Sequence, residues 1–162
     1  MNFSQKIFIL ILLKLVIPIG TIPAYATTPG PPPKINPGLA TVQTPDGFTI
    51  FAEIANTPDQ RSKGLMYRTE IAPDRGMIFT FPEPGNWTFW MKNTKMALDI
   101  LWIDEKGKIV HIQHAAPICE RQDNLCPRYR TNIPAVLVLE LGAGRAAKLN
   151  LTPGKKLKIA WP

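Results

Sequence analysis

Short apolar runs separated by turn residues recur along most of this sequence, and they restrict the fold more than any other feature. The runs are FTIFAEIA (48–55), GMIFTF (76–81), LDILWID (98–104), KIVHIQHA (108–115) and AVLVLEL (135–141). Their β-branched and aromatic residues favour strands, and the Pro and Gly residues between them favour turns. The pattern predicts a mainly β fold, a single compact antiparallel domain resembling a sandwich or barrel.

One or two short helices are expected to accompany these strands. Thr57 suits an N-cap position, Pro58 suits the first helical position, and Gln60 completes a capping box with Thr57. We therefore expect a short helix that begins at Pro58, with Gly64 ending it or allowing close packing. GRAAKLN (144–150) predicts a further helical turn.

The first 26 residues have the layout of a secretory signal. A basic start is followed by an apolar run, and Ala24 and Ala26 are small residues at positions −3 and −1 of a cleavage site after Ala26. The alternative is an uncleaved membrane anchor, although Lys14 lies mid-way along the apolar stretch. A charged residue there costs about 2.5–3.5 kcal/mol on insertion. We expect cleavage and an extracytoplasmic location, periplasmic or secreted, with membrane contact only through an uncleaved signal.

Residues 27–46 contain six prolines and are predicted to be an extended linker. The folded domain is then expected at 47–162. Removal of Lys6 and Lys14 with the signal leaves 17 of the 19 basic residues against 12 acidic ones, a net charge of +5. This charge permits attraction to anionic molecules. A nucleic-acid partner is not expected, because the sequence has no basic helix or aromatic–basic RNA motif.

Two cysteines, Cys119 and Cys126, are the only ones in the chain. In an exported protein such a close pair favours a disulfide, which would stabilise the fold by about 2.5 kcal/mol in the loop-entropy description. Metal binding is the rival interpretation. Two thiolates do not complete a tetrahedral site, and their spacing is wider than is usual for zinc.

Six segments together resemble one protein family, DUF192, also called UPF0127. They are RSKGLMYR (61–68), GMIFTF (76–81), FWMKNT (89–94), LDI (98–100), CP (126–127) and ELGAG (140–144). The resemblance runs from about Phe48 to Trp161. It implies a compact, predominantly β domain with short helices, in a family of small and often exported bacterial and archaeal proteins. The family offers no established catalytic residues to carry over.

The stretch from Trp87 to Asp99 is the first candidate ligand site. Strand alternation places Trp90 opposite the expected core residues, next to Lys92. Lys92, Asn93 and Thr94 add an ammonium, an amide and a hydroxyl, and Asp99 follows shortly after. Such a group could hold a carboxylate, a phosphate or a sugar. The plainer alternative is an ordinary turn with a solvated lysine.

Arg61, Arg68 and Glu140 extend this candidate site. Arg61 and Arg68 flank the expected helix, from which one guanidinium could reach the same cleft and bind an anion. Glu140 ends a buried strand and needs a basic partner or an exposed position. We expect Arg and Lys side chains to gather with Asp99 or Glu140 beside Trp90. Surface ion pairs are the alternative.

The sequence carries no recognisable catalytic machinery. Ser62 lacks a nucleophile-elbow context, and no dinucleotide or phosphate loop occurs. His111 and His114 would point to opposite faces of a strand, so we expect no metal site and no cofactor. The favoured function is binding of a small polar or anionic ligand or an envelope partner. The alternatives are a hydrolase that uses the carboxylates of Asp99 and Glu140, and an interaction module without a pocket.

Overall fold

The computed structural model describes residues 38–121 and 125–162. The predicted signal peptide and the predicted linker up to residue 37 lie outside the described residues. The elements in chain order are β1 (Leu39–Gln43), β2 (Thr49–Ala55), α1 (Pro58–Lys63), β3 (Arg75–Gly85), β4 (Phe89–Trp90), β5 (Leu98–Ile103), β6 (Ile109–Ala116), β7 (Arg128–Tyr129), β8 (Ala135–Gly142), α2 (Arg145–Lys148) and β9 (Lys158–Ala160).

Within the described residues, seven strands form one sheet in the order β6-β5-β8-β3-β2-β1-β9. β2 and β3 are parallel and are connected through α1, whereas the other neighbouring strands in this sheet are antiparallel. β4 and β7 form a separate two-stranded ladder. The mainly β class with two short helices is confirmed. The sheet is mixed and open, since β6 and β9 are its edges and only an isolated bridge joins Lys108 to Lys156.

The sheet is buried on both faces at its centre. All six residues of β5 are buried, and its five apolar residues divide between two hydrophobic cores. The first core includes Val42, Ile50, Ile78, Leu101, Leu139, Leu149, Leu151 and Leu157. The second core includes Leu65, Met77, Phe79, Met91, Ile100, Trp102 and Val138. A strand that is buried on both faces is expected to be a nearly continuous apolar run, as LDILWI is.

Helix α1 forms as the sequence predicts. The Thr57 hydroxyl accepts a hydrogen bond from the Gln60 amide at 3.3 Å, and the Gln60 side chain accepts one from the Thr57 amide at 3.1 Å. Gly64 ends the helix with a φ of 45°, a backbone conformation that residues other than glycine rarely adopt. A β-carbon at Gly64 would also come within 3.3 Å of the Phe79 ring, so both uses foreseen for this glycine apply.

Two strand predictions need correction. β1 lies inside the predicted linker 27–46, because its sequence, LATVQ, contains no proline and pairs with β2 on one side and β9 on the other. β3 continues through the Pro-rich segment PEPG that resembles a turn, with an irregular register between Thr80 and Gly85. β4 is correspondingly short, at two residues. No helix in the described part of the chain is long and apolar enough to cross a membrane.

Removal of the α1 cap should destabilise the domain measurably. Thr57→Ala deletes the hydroxyl that accepts from Gln60, and loss of such a cap costs about 1 kcal/mol. The free energy of unfolding from urea denaturation measures this loss. Thr69→Ala, at an exposed position after the helix, is the matched control and should change stability by less than about 0.5 kcal/mol. Equal effects of the two substitutions would contradict the role of the cap.

Candidate functional site

A cleft of about 430 Å³ opens on the face of the sheet that carries the second core. Helix α1 and the turn after it form one wall, and β3, β4 and β7 form the other. The lining residues are Pro58, Arg61, Ser62, Lys63, Gly64, Leu65, Met66, Phe79, Phe81, Trp87, Thr88, Phe89, Trp90, Lys92, Thr94, Arg128 and Glu140. The cleft therefore combines aromatic, cationic and hydroxyl groups around one carboxyl group.

The aromatic wall is held in place by ring contacts and indole hydrogen bonds. Trp87 stacks on Phe81 with ring centroids 3.9 Å apart, and Phe89 meets Phe79 edge-on at 4.9 Å. The Trp87 indole N–H donates to the Ala135 carbonyl at 2.9 Å, which joins this wall to β8. Phe81, Trp87 and Phe89 are only partly buried, so these ring contacts and the indole hydrogen bond are what preorganise the wall.

Trp90 lies between the aromatic wall and the cations of the cleft. The Lys92 ammonium is 5.1 Å from the Trp90 ring centroid, and the Arg128 guanidinium carbon is 4.7 Å from it. Arg128 pairs with Trp90 across the β4–β7 ladder, which fixes this arrangement through the backbone. Cations within about 6 Å of an aromatic face are attracted to it. Trp90 thus positions two positive groups at the mouth of the cleft.

Arg61 contributes charge to the cleft while also holding the helix in place. One of its guanidinium nitrogens donates to the Asn56 carbonyl at 2.8 Å and to the Thr80 carbonyl at 3.0 Å. Its guanidinium also lies 5.3 Å from the centre of the Phe81 ring. These bonds tie α1 to β3, so the position of the Arg61 charge is fixed before any ligand arrives.

Glu140 lies at the floor of the cleft, near the middle of the sheet. It pairs with Met77 of β3 and Ile100 of β5, and it is only 4% exposed. Its carboxyl group makes no hydrogen bond or ion pair with any residue that the structure describes. Burial raises the pKa of Glu140 to about 8. Since this value lies above neutral pH, the group is predominantly a neutral carboxylic acid at pH 7.

The structure brings five of the eight predicted ligand-site residues to this cleft. They are Arg61, Trp90, Lys92, Thr94 and Glu140. The expected meeting of Arg and Lys side chains with a carboxyl group beside Trp90 therefore takes place around Glu140.

Asn93 and Arg68 are engaged elsewhere. The Asn93 amide donates to the Tyr67 hydroxyl at 3.1 Å, and both residues have left-handed backbones with φ values of 58° and 66°. Arg68 makes a two-pronged ion pair with Glu53, with the second contact at 2.7 Å. The hydrogen bond from Arg68 lowers the pKa of Glu53. Asn93 supports the loop behind the cleft, and Arg68 stabilises the fold.

Asp99 does not belong to the cleft. It pairs with Leu141, one position out of phase with Glu140, so its side chain points to the opposite face of the sheet. It is fully buried and accepts hydrogen bonds from the Ala115 and Ala146 amides, each at 2.8 Å. Asp99 is therefore a structural connector of β6 and α2, and it cannot act as a partner to Glu140 in a two-carboxylate site.

The predicted disulfide is present, and it anchors one wall of the cleft. Cys119 and Cys126 are bonded, with their α-carbons 5.8 Å apart. Arg128 follows Cys126 by two residues and lines the cleft, and Lys63 lines it from α1. Sequence reasoning missed both cations, because only the pairing of β7 with β4 brings Arg128 to Trp90.

Among the described residues, no three His, Cys, Asp or Glu side chains are grouped as a metal site requires.

Comparison with known proteins gives a family and a fold. Residues 41–159 match the family model DUF192, described as "Uncharacterized ACR". A protein "of unknown function" from Novosphingobium aromaticivorans is 33% identical, with a TM-score of 0.66; the match covers 74% of this chain and 83% of that one. A "putative transcription regulator" from Sinorhizobium meliloti is 38% identical, with a TM-score of 0.64 and coverage of 75% and 92%. No curated protein matches significantly.

Replacement of Glu140 by glutamine should stabilise the protein in a pH-dependent way. The folded protein holds the Glu140 proton up to about pH 8, whereas the unfolded chain releases it near the ordinary glutamate pKa of 4.5. Stability linked to this proton is complete below pH 4.5 and declines as the pH rises towards 8. Glu140→Gln removes this decline, so the variant should exceed the wild type by about 4 kcal/mol at pH 8 and match it near pH 4.

Urea denaturation at the two pH values measures this difference. Glu105→Gln changes an exposed glutamate outside the cleft and is the matched control. If Glu140→Gln and Glu105→Gln shift stability equally at pH 8, the carboxyl group of Glu140 is not buried as described.

Loss of the disulfide should loosen the wall that carries Arg128. Cys119→Ser with Cys126→Ser removes a short covalent loop, at a cost of about 2–3 kcal/mol in unfolding free energy. Because β7 pairs with β4, we also expect faster hydrogen exchange at the Phe89 and Trp90 amides than in the oxidised protein. Unchanged exchange at these amides, with lower global stability, would show that β7 is held without the disulfide.

Proposed function

The chain belongs to the DUF192 family, and from that premise we propose that its described domain binds a small anionic ligand in the cleft. The observation that carries this proposal is the convergence of four cationic side chains on an aromatic hollow. The cations are Arg61, Lys63, Lys92 and Arg128. They come from α1, from the segment after β4 and from β7, so the fold assembles them from distant parts of the chain.

The charge balance of the cleft supports an anion over a cation. The acidic side chain that lines it is Glu140, and its raised pKa of about 8 leaves it largely neutral at pH 7. Among the described residues that line the cleft, positive side chains therefore outnumber ionised carboxylates at pH 7. Cations gathered in a partly enclosed hollow raise the local concentration of anions. A positively charged ligand would be repelled from the same place.

The dimensions and lining of the cleft support a small molecule. Its volume of about 430 Å³ lies within the range of about 300–1,000 Å³ that is typical of small-ligand sites. Such sites have mostly apolar and aromatic walls with a few convergent polar groups. The fixed Phe81–Trp87 stack and the Trp90 ring provide such walls, and the cations provide the polar groups.

Two other functions receive less support. The hydrolase with a carboxylate pair lacks its predicted second carboxylate, because Asp99 faces the other side of the sheet from Glu140. The Sinorhizobium relative is described as a regulator, and small-ligand sensing would suit a regulator. We propose no DNA contact for this chain, since α1 has six residues and α2 has four, too few for a helix that reads the major groove.

The sequence pattern of a secretory signal adds a location to the proposal. With export, the ligand is an anion of the periplasm or of the surroundings, and the domain presents its cleft there. An envelope macromolecule that carries such an anionic group is the alternative occupant of the same site.

A thermal-shift screen tests the proposal directly. Small carboxylates, phosphates and sulfonates are compared with neutral and cationic analogues of equal size at pH 7 and low salt. We expect anions alone to raise the melting temperature. Because the contacts involve charged groups, Arg128→Ala should lower the affinity for such an anion by about tenfold or more in calorimetric titration.

Arg75→Ala is the matched control, since Arg75 packs against Phe51 and lies outside the cleft. It removes the same charge and should leave the affinity nearly unchanged. Equal shifts with cationic and anionic compounds, or equal losses in the two arginine variants, would refute an anion site at the cleft.

A further inference from the structure

The floor of the cleft allows a more specific statement about the ligand, and this statement rests on the proposed function. We infer that the anion is hydroxylated, of the sugar-acid or sugar-phosphate class, and that Glu140 hydrogen-bonds one of its hydroxyl groups. The cations at the mouth then bind the charged group, and the floor of the cleft recognises the neutral part.

Glu140 is a polar group that has no hydrogen-bond partner among the described residues, and it lies in an otherwise apolar floor that is open to the cleft. Its neighbours on the adjacent strands are Met77 and Ile100, and only 4% of its surface is exposed. Buried polar groups normally have hydrogen-bond partners, and Glu140 lines a cleft from which such a partner can come. No described residue supplies one for Glu140. A ligand that enters the cleft and completes this hydrogen bond therefore gains affinity.

The protonation of Glu140 decides which ligand group fits. Burial raises the pKa of this carboxyl group to about 8, so at neutral pH it offers one O–H donor and one carbonyl acceptor. A hydroxyl group also offers a donor and an acceptor and satisfies both. An ammonium group would pair best with an ionised carboxylate. The four cations of the cleft would also repel such a positively charged group.

The other groups in the cleft suit a sugar-like body. Ser62 and Thr94 present hydroxyl groups, and Phe89 and Trp87 present apolar surface to the same hollow. A pyranose ring has both hydroxyl groups and an apolar C–H face, so it can use both kinds of surface. The charged groups that line the cleft together with Glu140 are Arg61 and Lys63 from α1, Lys92 after β4, and Arg128 from β7. All four favour an anionic substituent on that ring.

Calorimetric titration with matched compounds tests this inference. Glucuronate is compared with cyclohexanecarboxylate, which has the same charge and a similar ring but no hydroxyl groups, and with neutral glucose. Glucose 6-phosphate is compared with inorganic phosphate. We expect each hydroxylated anion to bind at least tenfold more tightly than its partner compound and than glucose. The tighter of the two hydroxylated anions identifies the carboxylate or phosphate source.

Two variants assign the effect to Glu140. Glu140→Met replaces the carboxyl group by an apolar side chain like its neighbours and should weaken glucuronate at least tenfold while cyclohexanecarboxylate is unchanged. Glu140→Gln keeps a neutral donor and acceptor and should retain affinity within about threefold. Wild-type affinity should fall between pH 7 and 9, as Glu140 ionises and repels the anion, whereas that of Glu140→Gln should fall less.

The outcomes separate the inference from the proposed function. If glucuronate and cyclohexanecarboxylate bind equally well, the hydroxyl inference is overturned and the anion site stands. If neither anion nor either phosphate compound binds, both are overturned. The role of Glu140 is also overturned if Glu140→Met binds neither glucuronate nor cyclohexanecarboxylate. It is likewise overturned if the affinities of the wild type and of Glu140→Gln depend on pH in the same way. The pH profile keeps this test valid even where Glu140→Met does not fold.

Discussion

Burial of β5 on both of its faces is the constraint on which the rest of this structure depends. A strand with six buried residues requires cover above and below the sheet, and the chain provides it in two different ways. The first core is sealed by aliphatic residues, among them Leu149, Leu151 and Leu157. The second core is covered by Leu65, which follows α1, and by Phe89 and Tyr129 of the β4–β7 ladder. This second cover is incomplete, and the gap that it leaves is the cleft with Glu140 at its floor.

Glu140 shows how stability and the candidate function oppose each other at this gap. A carboxyl group between Met77 and Ile100 weakens the fold at neutral pH, and an apolar residue would fill the same place without that cost. Natural proteins commonly tolerate such costs at sites where activity requires them. The buried cluster around Asp99 differs, because its two amide donors satisfy the carboxylate and the group connects elements of the fold.

Local signals predicted the fold well, and contacts between distant segments limited the rest. Thr57 and Gln60 are three residues apart and specify the start of α1, and the apolar run at 135–141 specifies β8. The parallel pairing of β2 with β3, and the place of β1 in the sheet, depend on partners far along the chain and leave no local pattern. The same limit applied to the site. Trp90 and Lys92 are neighbours and were predicted, whereas Arg128 reaches them only through β7. Asp99 was misplaced because a one-residue change of register reverses the face that a side chain occupies.

The pairing of β1 with β9 also bears on how the domain folds. Thr41 lies opposite Ala160, so this ladder joins segments at the two ends of the described domain. Contacts of such high sequence separation form slowly, because the loop-closure entropy must be overcome before any contact compensates for it. A ribosome has to synthesise nearly the whole domain before β1 can pair with β9 at this edge of the sheet. Until then the outer edge of β1 remains without its final neighbour, which is the period in which chaperones have the most to protect.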